Sequence, residues 1–312
     1  MDPKKSISGR FIGASMLLSA FLLVLLAVLL LAPFTGTVFS AVNDTFTANV
    51  TISNSLPNIT QINFNDTDSS NVNISLNANN NTNFIWCNAT INDGNGCQDI
   101  TLVNATFFHT TSAISSADSK ILHYTNATCN LTGSGTVAIA FCGMSFEHEA
   151  TNGTWNCTIW AKDGALATTW NSTSNSVNQL IALDVTEAAI HFGTMASGQS
   201  SATANTTNVT NQGNVKINLQ VAGSGDMICT AQGQIGVNNI SYNLSSGAYT
   251  TMSTNQLSTS LSSALAFGLT AEGNGAFAAD EPATNLTYWT IHIPTGVRGE
   301  CNNTITISAL MA

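Results

Sequence analysis

Between residues 215 and 221 every second residue is apolar: Val215, Ile217, Leu219 and Val221 are interleaved by Lys216, Asn218 and Gln220. A repeat of two puts successive side chains on opposite faces of an extended chain, so this spacing predicts a strand with one buried and one solvated face. The same alternation, bounded by Gly, Asn, Asp and Ser, recurs after Phe34, and no apolar run there keeps a helical period. The fold class expected is therefore all-β. The Asn211-Gln212-Gly213-Asn214 turn before Val215 predicts a hairpin that pairs residues 202–209 with residues 215–221. Further on, Trp289, Ile291 and Ile293 share a face, as do Ile305 and Ile307 after the Pro294-Thr295-Gly296 turn. The last strand is thus expected to run almost to residue 312, with no room for a C-terminal anchor or sorting signal.

A second feature fixes topology. Residues 11–34 (FIGASMLLSAFLLVLLAVLLLAPF) carry no charge, and 24 residues of helix span about 36 Å, enough to cross a hydrocarbon core of about 30 Å. Lys4, Lys5 and Arg10 precede it, so residues 1–10 are expected to stay cytoplasmic as a basic flank and the rest to lie outside. The hydrophobic helix is either a signal anchor, which makes the membrane a partner, or a signal peptide cleaved near Ser40 and Ala41. The roughly 270 residues that follow suit two sandwich domains, expected at 84–183 and 184–312. Residues 42–83 are rich in Asn, Thr and Ser and form either an extended stalk or early strands, because Ile62, Phe64, Val72, Ile74 and Leu76 alternate.

Only 8% of the 312 residues are charged and the formal net charge is −10, with four basic residues against sixteen acidic ones past the apolar run. That balance disfavours nucleic acid, polyanions and anionic membrane surfaces as partners of this part. Polarity comes instead from 37 Asn, 32 Ser and 41 Thr residues. They form nineteen N-x-S/T acceptors: Asn43, Asn49, Asn58, Asn65, Asn73, Asn80, Asn88, Asn104, Asn126, Asn130, Asn152, Asn156, Asn171, Asn205, Asn208, Asn239, Asn243, Asn285 and Asn302. Composition alone would give roughly seven to ten, so glycosylation is expected at many of them, with Asn156 beside Cys157 at risk of burial.

Catalytic chemistry is not signalled. His109, His123, His148, His191 and His292 are scattered, with no H-E-x-x-H or G-x-S-x-G, and no cofactor is expected. In Glu147-His148-Glu149, strand spacing would turn His148 away from both acids, and the triplet reads as a solvated loop. The stretch from Asp93 to Asp99 spaces oxygen ligands at Asp93, Asn95 and Asp99 as a calcium loop would, but no Glu stands twelve positions along. A plain turn and a weak calcium site are the two readings. Trp160 and Trp170 would stack on a sugar if exposed, or else pack in a core or between domains.

Two segments echo one another: IWCNATINDGNG from Ile85 and WNCTIWAKDGAL from Trp155, each with Trp near Cys and Asp-Gly at the strand end. With HYTNATC at His123 and AIAFC at Ala138 between them, the pattern resembles an immunoglobulin-like, S-layer-like surface domain of small-genome archaea. The later segments IHFGTMASG from Ile190 and NVTNQGNVKINLQV from Asn208, with the ending WTIHIPTGVRGECNNTITISAL, resemble sandwich modules of prokaryotic surface proteins. The resemblance implies two immunoglobulin-like β-sandwiches after the N-terminal helix, with Cys87 and Cys157 as a candidate inter-sheet bridge. Such modules often carry tyrosine before the last strand. Here Glu300-Cys301 stands in that place, which implies an added disulfide.

All seven cysteines lie past the apolar run, where disulfides persist. Cys129 and Cys142 would close a short loop, and Cys229 and Cys301 are the two cysteines of the second domain. Pairing Cys87 with Cys157 leaves Cys97 over, and pairing Cys87 with Cys97 leaves Cys157. The odd cysteine is either buried and free or a link between subunits. No pair has C-x2-C spacing for a metal. The expected function is that of a non-catalytic, glycosylated cell-surface structural or cell-contact protein, on the extracellular face or secreted. Its partners would be copies of itself or envelope proteins. The alternatives are a filament subunit that lends residues 43–76 as a strand to its neighbour, or a carbohydrate-binding adhesin.

Overall fold

The computed structural model describes residues 46–67, 73–78, 83–261, 265–271 and 283–312. The apolar run at 11–34, its basic flank and the sequons at Asn43 and Asn80 lie outside them. Among the described residues no helix is long and apolar enough to cross a membrane. One compact unit ends at Ile52 and a second spans Ser53–Ala312. In the first, residues 46–52 form no strand, and Phe46, Val50 and Ile52 are exposed.

The second unit is all-β. Its first half places β1 (Asn58–Asp66), β2 (Asn83–Asn92), β6 (Val137–Phe146) and β5 (Asn130–Ser134) in one antiparallel sheet, ordered β1-β2-β6-β5. A second sheet runs in the order β4-β3-β7-β8, from β3 (Ile100–His109), β4 (His123–Asn126), β7 (Gly153–Asp163) and β8 (Thr168–Val177). Alternation decides what faces inward. In β2, Ile85, Cys87, Ala89 and Ile91 are buried, and they pack against Val103, Ala105 and Phe107 of β3 and Trp155, Cys157 and Ile159 of β7 in one core. Phe146 lies among Tyr124, Phe107 and Trp155, with ring centroids 4.3, 5.9 and 4.8 Å away. Residues 58–66, read from sequence as stalk or early strand, pair along β2 as β1 and bury Ile59 and Phe64. Ile74 and Leu76 are buried in the same core.

The second half repeats the principle with β9 (Leu183–Val185), β10 (Asn205–Asn211), β14 (Ile240–Asn243) and β16 (Thr284–Ile291), in the order β14-β16-β10-β9. Beside this lie a sheet of β15 (Leu265–Leu269), β11 (Ile217–Gly223) and β18 (Ile305–Met311), and a small one of β13 (Gln234–Ile235), β12 (Met227–Cys229) and β17 (Cys301–Asn302). Trp289 and Ile291 from β16 and Val221 from β11 share a core, with the half-buried Ile305 and Ile307 of β18 packed against it. The segment between β9 and β10 forms no strand, yet Ile190, Phe192 and Met195 pack on that core and wall a groove of about 920 Å³.

The expected hairpin is not formed. β10 pairs with β9 and β16, while β11 pairs with β15 and β18 in another sheet. The turn between them spends its polar groups elsewhere. Buried Asn211 donates from Nδ2 to Val215 O at 2.8 Å and Leu269 O at 3.2 Å. Buried Asn214 donates to Ala150 O and Asn178 O, both at 3.0 Å, and accepts from Leu180 N at 2.7 Å. The turn is thus a crossover between facing sheets that also ties the two halves of the unit together. At Gly213 a Cβ would lie 2.1 Å from Leu180 O, so glycine is required there by close approach of backbone.

Candidate functional site

The two Asp-Gly strand ends that echo in sequence meet in space. β2 runs into Asp93-Gly94-Asn95-Gly96, and a 3-10 turn at Cys97–Asp99 leads into β3. Gly96, at φ 111°, adopts a backbone that favours glycine, and Asp93 Oδ1 accepts the Asn95 N–H at 2.8 Å. Main-chain bonds from Asp93 N to Thr136 O (2.9 Å) and from Cys97 N to Gly135 O (2.8 Å) hold the loop on the β5–β6 turn. From the opposite sheet, Asp163 ends β7 in register with Ile100. Its carboxylate accepts Asn54 Nδ2 at 2.7 Å and Ala167 N at 2.8 Å. The Asn54 bond is the chief cause holding this carboxyl below its ordinary range.

One carboxylate oxygen each from Asp93, Asp99 and Asp163 lies within 4.8 Å of the other two. Asp93 is 1% exposed, Asp163 0%, and Asp99 half-buried. Among the described residues no lysine or arginine pairs with them, and the buried Asp93 Oδ2 has no hydrogen-bond donor. Gly164 lets the chains approach, because a Cβ there would sit 2.6 Å from Asp99 Oδ1. Of the sequence candidates, Asp93 and Asp99 come together, and Asp163 joins them from the facing sheet. The Asn95 side-chain oxygen accepts from Ser55 N at 2.6 Å. Spacing along one loop had no means of finding a residue from the other sheet, although the repeated Asp-Gly was its trace.

Six cysteines form three disulfides. Cys87–Cys157 joins β2 to β7 across the sandwich, Cys129–Cys142 closes a short loop beside β6, and Cys229–Cys301 links β12 to β17. Cys97 is free and buried. All seventeen sequon asparagines among the described residues are exposed or half-buried, Asn156 included.

Two expectations need correction. Glu147-His148-Glu149 is no solvated loop: it makes a turn after β6 in which His148 and Glu149 are buried, with His148 Nδ1 3.4 Å from Glu149 Oε2. Turn geometry replaced the assumed strand spacing. Trp160 and Trp170 belong to no core; they are cross-strand partners on the outer face of β7 and β8, 36% and 59% exposed, with ring centroids 5.8 Å apart. Elsewhere, burial lowers the pKa of His109, whose Nδ1 lies 2.8 Å from Thr111 Oγ1 and whose ring meets Trp155 edge-on. Burial likewise raises that of Tyr124, whose hydroxyl donates to Lys120 O and accepts from Glu147 N.

No family model matches the chain, and no curated protein matches it in sequence. Among solved structures it is similar to a chaperone–tip adhesion subunit complex of archaic chaperone-usher Csu pili from Acinetobacter baumannii. The identity is 12% and the TM-score 0.31, over 76% of this chain and 96% of that one. It is also similar to the C-terminal domain of the antigen I/II-family protein AspA of Streptococcus pyogenes, at 8% identity and TM-score 0.23, over 82% and 96% of the two chains. Likenesses this weak say nothing of what the present chain does.

Proposed function

We propose that this is a non-catalytic, glycosylated protein of the extracellular face, built from two immunoglobulin-like sandwiches, that serves as a structural or cell-contact component of an envelope. The observation that carries this reading is the use of cysteine. Six of seven form bridges, one of them through the core between facing sheets, which fits folding in an oxidising compartment. The strand orders β1-β2-β6-β5 and β4-β3-β7-β8 support the immunoglobulin-like assignment, with a bridge joining the second strand to the seventh. The exposed sequon asparagines, such as Asn58, Asn130, Asn285 and Asn302, support glycan attachment, which would give a surface poor in charge its solubility. Digestion of intact host cells with an added protease tests the location. Loss of the protein, together with a drop in its mass after deglycosylation, is expected. A protein protected in intact cells and unchanged by deglycosylation would refute it.

A second reading has its own observation. In residues 46–52, Phe46, Ala48, Val50 and Ile52 alternate with polar residues, and Phe46, Val50 and Ile52 are 91%, 85% and 79% exposed. That is the pattern of a strand without a sheet. Residues 58–66, being β1 of their own sandwich, do not fit a donor role for 43–76 as a whole. The shorter segment fits β-strand addition to a second copy, along the β18 edge beside the 920 Å³ groove. Light scattering of the full chain against a Val50→Asp variant tests it: assemblies lost in the variant support strand donation, and identical sizes contradict it.

A further inference from the structure

We propose that Asp93, Asp99 and Asp163 form a calcium site that fastens the loop after β2 to the end of β7. Three carboxylates share a space of less than 5 Å, each pair within 4.8 Å, and two of them are buried where water screens poorly. Asp93 supplies a separate observation. Its Oδ1 is satisfied by Asn95 N, but its Oδ2 is buried without a donor among the described residues. A buried carboxylate oxygen left unpaired is costly, and a cation among the three acids would remove that cost together with their mutual repulsion.

The donor set names the class of ion. It consists of oxygen alone, with no histidine or cysteine in the cluster, which suits hard cations and disfavours zinc or copper. Ligands from the end of β2, the turn before β3 and the end of β7 form an irregular group. Calcium accepts six to eight oxygens in flexible geometry, whereas magnesium requires a near-ideal octahedron and retains its waters. Extracellular modules bind calcium with Kd values on the order of 10⁻⁴–10⁻³ M, so an exported sandwich would find it loaded; that last clause rests on the proposed location, and the site itself does not. Asn54 and Ser55 lie over the loop through bonds to Asp163 and Asn95, so the ion would also hold this entry segment against the first sandwich.

The test is thermal unfolding of the full chain in chelator, in calcium and in magnesium. Calcium at about 10 mM is expected to raise Tm by about 3 °C or more, reversibly on chelation, and magnesium to do clearly less. Asp99→Asn alters the half-buried member and leaves the fold its hydrogen-bonded acids. It is expected to need at least about tenfold more calcium for the same rise, while its Tm in chelator equals or exceeds that of the unaltered protein because one repelling charge is gone. Absence of any calcium-dependent shift, an equal response to magnesium, or an unchanged calcium response in both Asp99→Asn and Asp163→Asn would each overturn the proposal. None of these results would bear on whether the protein is exported.

Discussion

At the residue scale, asparagine explains much of this molecule. The consensus N-x-S/T has the same period as a strand with a polar outer face: in Asn88-Ala89-Thr90, Asn104-Ala105-Thr106 and Asn208-Val209-Thr210 the middle residue is buried and its neighbours are not. An all-β chain whose outer face is written in Asn and Thr therefore generates sequons beyond what composition predicts, and their number alone is a weaker sign of glycans than their exposure. Occupancy is expected first at Asn58, Asn130, Asn285 and Asn302, which are exposed, and last at Asn126, whose Nδ2 donates to Gly143 O at 2.7 Å; glycopeptide mapping reads this directly. His109 gives a pH prediction. Its folded pKa lies below 6.5, so the unfolded chain binds more protons between that lowered value and 6.5. Stability is expected to fall as pH drops through this window. His109→Gln should flatten that part of a urea-unfolding pH profile.

At the element scale, alternation was legible and partnership was not. The strand at residues 217–223 and the burial of Ile217, Leu219 and Val221 follow from period two, yet β11 joins a different sheet from β10 because nothing in the pattern encodes which edge a strand meets. β6 shows a second limit. Both of its faces are apolar, and the structure buries Ala138, Ala140 and Cys142, which stand in register with the buried Ile91, Ala89 and Cys87 of β2, while Val137, Ile139 and Phe141 stay exposed. Removing that bridge by Cys129→Ser with Cys142→Ser is expected to cost about 3 kcal/mol in urea unfolding, from the entropy of a loop closed over a sequence separation of 13. Gly213→Ala, with its Cβ driven onto Leu180 O, should destabilise by about 2 kcal/mol or more in urea unfolding. The candidate metal centre was half legible for the same reason as the strands. Asp93 and Asp99 are near in sequence, whereas Asp163 arrives from the facing sheet.

At the scale of the whole molecule, three bridges and sequon asparagines that are exposed or half-buried support the proposed export of the chain. The central claim is the oxidising, extracellular origin of this fold, and the intact mass of the protein from its own host, alkylated without reduction, tests it most directly. Three bridges, a single alkylation at Cys97 once unfolded, and mass beyond the polypeptide that deglycosylation removes are predicted. Seven alkylated thiols on a polypeptide of unmodified mass would contradict it.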